Sequence, residues 1–297
     1  MLNRRHLLTG SGAGLLATRL AAQTSVRLPV IASFSILADF VANAGGERVE
    51  VSALVGPDGD AHVFSPAPAD ARRVAAARLI VVNGLGLEGW MQRLVEASAS
   101  KAALVTATRG IQPQTFTLDG KVTDDPHAWQ NIANAKLYVA NIRDGLVAAD
   151  PDGRAVYEAN AAAYLVKLDA LEIEVKAVIA AIPAKNRKII TSHDAFGYFG
   201  TAYGMKFIAP QGVSTESEPS AKDVAKIIRQ IKAEKIPAVF MENISDPRLI
   251  QRIASETGAK IGGKLYSDAL SGKDGPAATY VEMMKNNVAA FAAALAG

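Results

Sequence analysis

Between about residues 154 and 182, Tyr164, Leu168, Leu171, Val175, Val178 and Ile182 recur at spacings of 4, 3, 4, 3 and 4. That interval stacks side chains along one face of an α-helix. Pro183 ends the run, because it lacks the backbone donor a further turn needs. Roughly thirty helical residues at about 1.5 Å each span on the order of 45 Å, more than the width of a small domain. Such an element has to run the length of a two-lobed molecule. Two shorter helices broken near 161–163 are the alternative, although no glycine or proline marks a break there.

On both sides of this segment short apolar runs alternate with helical patterns. Before it, strands are predicted at 28–32, 49–55, 79–83 and 103–106, and helices at 36–44, 67–77 and 87–97. After it come strands at 188–192, 238–242 and 260–265, helices at 195–203, 221–234 and 247–257, and a last helix from about Pro276. Strands alternating with helices imply mainly parallel sheets flanked by helices. The predicted fold is therefore α/β: an N-terminal lobe (23–150), a linking helix (151–184) and a C-terminal lobe (185–297). The 297 residues suit two domains, each able to bury its own core.

The formal charge of +3 would raise the question of nucleic acid. It resides in the opening residues, where Arg4 and Arg5 precede a Leu/Ala/Gly stretch reaching about Ala22. This is a signal-peptide pattern, and the arginine pair followed by His6, Leu7 and Leu8 resembles a twin-arginine signal. Removing residues 1–22 deletes Arg4, Arg5 and Arg19 and no acid, leaving a neutral mature chain with no nucleic-acid signal. The absence of cysteine excludes disulfides, thiolate metal sites and a lipid-anchored cysteine. No later apolar run reaches the roughly 18 residues of a membrane span. A soluble periplasmic protein is expected, not embedded in the membrane and monomeric.

Four histidines are present, and His6 leaves with the signal. His62, His127 and His193 each stand where a predicted element meets a loop, and His62 and His193 follow predicted strands. In open α/β sheets ligands bind beyond the carboxyl ends of strands. Taken singly, each is more often a hydrogen-bonded structural histidine than a metal ligand. Three such positions with no histidine left over favour a metal site.

Four segments then resemble the periplasmic solute-binding proteins of ABC importers for zinc and manganese, over nearly all of the mature chain. His62-Val-Phe64-Ser-Pro66 matches the His-x-aromatic-x-Pro loop of that family, and Asp125-Pro-His127-Ala-Trp129 its Asp-Pro-His-x-Trp. Thr191-Ser-His193 with Ala195-Phe-Gly-Tyr-Phe199 matches its third ligand segment, and Leu265-Tyr-Ser-Asp268-Ala-Leu-Ser271 its fourth. Glu218-Pro-Ser220 and Glu242-Asn-Ile-Ser-Asp-Pro247 are similar to further signatures. The resemblance implies two α/β lobes joined by one long helix. His62, His127, His193 and Asp268 would hold one ion in the cleft, for delivery to an ABC permease in the inner membrane, with a periplasmic metallochaperone as a further partner.

Three imidazoles and one carboxylate suit Zn²⁺, whereas Mn²⁺ favours more oxygen. Family members with Glu in third place lean towards manganese, so His193 tilts the expectation to zinc, with manganese or iron the alternative. Many zinc members carry a His-rich loop between the first two histidines. Residues 115–125 contain none and are read as a loop with Asp119, Asp124 and Asp125 solvated. Asp125, Asp194, Glu218 and Glu242 are candidates for orienting the imidazoles, although solvation or helix capping is the commoner role for such acids. No His-Glu-x-x-His helix or Gly-x-Ser-x-Gly elbow supports a zinc hydrolase, and a purely structural metal is a third possibility. The long helix predicts small lobe shifts and local loop ordering on binding rather than a wide clamshell.

Overall fold

The computed structural model describes residues 27–118 and 121–296. The leader pattern of residues 1–22 lies outside them. The first lobe is a parallel sheet of β1 (Leu28–Phe34), β2 (Val49–Val55), β3 (Leu79–Val82) and β4 (Ala103–Thr106), in the order β2-β1-β3-β4. Helices α1 (Ser35–Gly45), α2 (Pro68–Ala76), α3 (Met91–Ser98) and α4 (Ile132–Ala149) accompany it, with a hairpin of β5 (Thr115–Leu118) and β6 (Lys121–Asp124). Then α5 (Arg154–Ala181) runs as one uninterrupted helix of 28 residues.

The second lobe contains β7 (Lys188–Ile190), α6 (Gly197–Tyr203), β8 (Lys206–Ile208), α7 (Ala221–Glu234), β9 (Ala238–Glu242), α8 (Pro247–Thr257), β10 (Lys260–Leu265) and α9 (Tyr280–Leu295). Its sheet is also parallel, ordered β10-β9-β7-β8. Read from the other edge, this is the strand order of the first lobe repeated.

The two-lobed α/β plan with a long helix agrees with the sequence reading. Three elements were not anticipated. The helix α4 does carry a signal: Asn131 caps it by accepting from the Ala133 N–H at 2.9 Å, and Ile132, Ala135, Tyr138, Val139, Ile142 and Leu146 share its buried face. The β5–β6 hairpin replaces the loop expected at 115–125, and Asp119-Gly120 in the sequence is a hairpin-turn dipeptide. The three-residue β8 is too short to leave a periodic trace.

The face that α5 buries is Tyr157, Ala161, Tyr164, Leu168, Leu171, Val175 and Ile179, so Ile179 takes the place that spacing alone gave to Val178. One apolar cluster passes from the first sheet through α5 into α6, α9 and the inner face of the second sheet. At its centre Phe40 of α1 packs against Tyr138, Tyr164 and Tyr280, with ring centroids 4.8–6.3 Å apart. A second cluster lies between the outer face of the second sheet and α7 and α8. Among the described residues no helix is long and apolar enough to cross a membrane.

Because α5 belongs to the shared core, Leu171→Ala, at 1% exposure, should cost about 2–5 kcal/mol in urea unfolding. Val166→Ala on the opposite face, at 68% exposure, should stay within about 0.5 kcal/mol.

Candidate metal centre

Each of the four side chains singled out in the sequence stands just beyond an element end, and the two lobes contribute two each. His62 lies in the loop after β2. His127 follows the β5–β6 hairpin, His193 follows β7, and Asp268 follows β10. The four meet, with one potential ligand atom from each within 4.8 Å of all the others. His62 Nε2 is 3.2 Å from His127 Nε2 and 3.2 Å from Asp268 Oδ2. His193 Nε2 is 3.1 Å from Asp268 Oδ2, and His127 Nε2 is 3.5 Å from Asp268 Oδ1. All four residues are buried, and His127, His193 and Asp268 completely so.

Two acids set the ring orientations. Asp125 Oδ1 accepts from the backbone N–H of His127 at 2.9 Å and stands 2.8 Å from its Nδ1. Glu242 accepts from the backbone N–H of His193 through Oε1 at 2.9 Å, and its Oε2 lies 2.6 Å from the ring Nδ1. A carboxylate at that range keeps the proton on Nδ1, which leaves the Nε2 lone pair facing the centre. Asp125 is therefore buried against His127 and is not a solvated loop acid. Glu242 is likewise buried at the end of β9. Of the other two acids, Glu218 is exposed; Asp194 is half-buried and makes no hydrogen bond or ion pair to an imidazole among the described residues.

The result is a pocket of facing acceptors. Asp268 Oδ1 has no hydrogen-bond donor among the described residues. Such a cluster requires positive charge, and protons or a cation can supply it. Burial works against charging His127, but Asp268 and Asp125 outweigh it and push its pKa up to about 9. Burial likewise opposes charge on His193, yet Glu242 and Asp268 hold it well above the usual imidazole range. Burial alone would raise Asp268, but His127 and His193 beside it hold it well below the usual carboxylate range.

The backbone around each side chain is pinned. Trp129 Nε1 and Gln130 Nε2 both donate to the carbonyl of Ser267, at 2.9 and 2.8 Å, and so tie the His127 segment to that of Asp268 across the lobes. Tyr280 donates to the Trp129 carbonyl at 2.7 Å. Asn83, at the end of β3, donates to the Pro126 carbonyl at 2.9 Å and accepts from Tyr138 at 2.5 Å. Trp90 Nε1 donates to the Ala61 carbonyl at 2.8 Å, next to His62. Sequence reasoning did not find Trp90, Asn83 or Gln130, since nothing in their local pattern reports a partner dozens of residues away.

Over residues 30–294 the sequence matches the ZnuA family, described as the periplasmic component A of the zinc-uptake complex. The manganese-binding lipoprotein MntA of Halalkalibacterium halodurans is 37% identical over 270 residues, which cover 90% of this chain and 88% of that protein. The iron-binding protein YfeA of Yersinia pestis is 34% identical over 276 residues, 92% of this chain and 88% of its own. The solved structure of the periplasmic zinc binding protein TroA from Treponema pallidum aligns with a TM-score of 0.86 at 30% identity, covering 91% of this chain and 99% of that one. Similarity over almost the whole length, in sequence and in fold, makes this chain a member of the ZnuA family of periplasmic metal-binding proteins that serve ABC-type importers.

Proposed function

We propose that the protein captures one divalent transition-metal ion per chain in the periplasm, zinc first, through His62, His127, His193 and Asp268, and delivers it to an inner-membrane ABC permease. The observation that carries this is the spacing of the facing acceptors. Ligand bonds of about 2.0 Å in a tetrahedron put neighbouring donor atoms about 3.3 Å apart; with Asp268 Oδ2 as the oxygen donor three of the separations here are 3.1–3.2 Å, and one atom from each residue lies within 4.8 Å of the others. Three imidazole nitrogens with one carboxylate are a donor set suited to zinc. A catalytic zinc needs an open coordination position, and the enclosed four-residue set supports carriage over hydrolysis.

A manganese or iron cargo is the second reading. Both oxygens of Asp268 face the cluster, enough for a fifth oxygen donor, and the relatives MntA and YfeA are named for manganese and iron. Elemental analysis of protein purified from its native periplasm, followed by competitive titration of zinc against manganese and iron, decides between them. Stoichiometric manganese or iron without zinc would overturn the zinc assignment, and metal-dependent turnover of ester, amide or phosphoester substrates would overturn the carrier.

In the same titration His127→Ala or His193→Ala should abolish stoichiometric tight binding. Glu242→Gln, which loosens the hold on the His193 ring, should weaken it by about 10–100-fold.

Affinity should also follow pH with a definite sign. With its pKa raised to about 9, His127 in the metal-free protein carries a proton at neutral pH that the ion must displace. Binding therefore strengthens as pH rises towards 9 and weakens as it falls, by about tenfold per pH unit for each proton displaced. Proton release measured with an indicator at pH 7 should be at least one per metal, and zero release would contradict the raised His127.

A further inference from the structure

Of the four inward side chains His62 alone keeps a solvent-exposed edge, 8% for the residue, so the His62 side is the outer wall of the site. Two residues before it, Asp60 uses its two oxygens in opposite directions. Oδ1 accepts from the backbone N–H of His62 at 2.8 Å. Oδ2 accepts from the hydroxyl of Thr215, 155 residues away in the second lobe, at 2.6 Å.

The loop that carries Thr215 is fastened to the segment of His193. The Asp194 N–H donates to the Gly212 carbonyl at 3.2 Å, and the Gln211 N–H donates to the Ser192 carbonyl at 3.4 Å. The side-chain amide of Gln211 donates to the carbonyls of Thr215 and Ser217, at 3.2 and 2.9 Å, and holds the loop in shape. A continuous hydrogen-bonded path thus leads from His62 through Asp60 and Thr215 to the strand end of His193.

We propose that the Asp60–Thr215 hydrogen bond is a latch across the mouth of the site: Asp60 positions His62, and Thr215 sets how fast the ion leaves. This rests on the carrier reading above. With the latch closed, the Asp60 carboxylate is fixed from both lobes and the His62 peptide has one orientation. With it open, Asp60 can rotate, the His62 turn loosens, and an ion held by His127, His193 and Asp268 has an exit on the solvent side. Thr215 is not one of the four donors and makes no hydrogen bond to their rings among the described residues, so its effect falls on dissociation and not on the donor set.

The test compares zinc-loaded wild type, Thr215→Val and Thr215→Ser by stopped-flow transfer of zinc to excess chelating indicator, with association rates and metal-free melting curves measured alongside. Valine removes the hydroxyl and keeps the shape. Dissociation from Thr215→Val should be about tenfold faster, the weight of a single hydrogen bond to a charged group. Its association rate constant should stay within about twofold, as affinity changes within one site fall mainly on dissociation, and its metal-free melting temperature should fall by only about 2–4 °C, as expected for one lost hydrogen bond. Thr215→Ser should restore slow release. Unchanged dissociation in Thr215→Val, or failure of Thr215→Ser to restore it, would overturn the latch. A wild-type protein that takes up no zinc would defeat the carrier reading itself, a result distinct from a latch that fails on a protein that binds zinc.

Discussion

Three imidazole nitrogens and a carboxylate face one another inside the seam between two lobes, with no protein donor directed into their midst. That arrangement is unstable without positive charge, because buried lone pairs at about 3 Å repel and are largely cut off from water. The site therefore has two ways to be satisfied, protons or a metal cation, and they compete. On the proposed function, this competition would make the pocket's hold on an ion depend on pH.

Bringing them together is costly, and the fold meets that cost with rigidity in the surrounding shell. Asp125 and Glu242 hold the two most buried rings by their far nitrogens. Trp129 and Gln130 converge on a single carbonyl of the opposite lobe, while Phe40 and the tyrosines around it lock α1, α4, α5 and α9 into one core. One apolar core runs continuously across both lobes. Of the four residues that meet at the centre, His62 is the least buried.

Much of the architecture was legible in the chain. Strands β2 and β4 and helices α7 and α8 coincide with their predicted spans, and the long helix announced itself through a 3–4 periodicity that a core-facing helix can hardly avoid. What was missed has a physical reason. The strand β8 is shorter than any period can reveal. The β5–β6 hairpin alternates weakly because those of its side chains that are described are exposed or half-buried. Helix α4 does carry a local signal, the Asn131 cap and the apolar face that follows it, directly after the Asp125-Pro-His127 segment. Asp125 was assigned to solvent because an acid in a polar stretch usually is solvated, and only the return of the chain over it from α6, where Tyr198 donates to its carbonyl at 2.9 Å, buries it.

By itself the sequence determined the two α/β lobes, the helix that joins them and the short set of residue types able to bind a metal, because hydrophobic period and side-chain chemistry are local properties. It named Glu242 only as one acid among several. The tertiary structure alone decided that Glu242 faces His193, that Asp60 reaches Thr215 across the cleft, and that four acceptors separated by up to 206 residues stand within 4.8 Å of one another. Those relations depend on how two sheets pack around a shared core, and no stretch of chain contains that information.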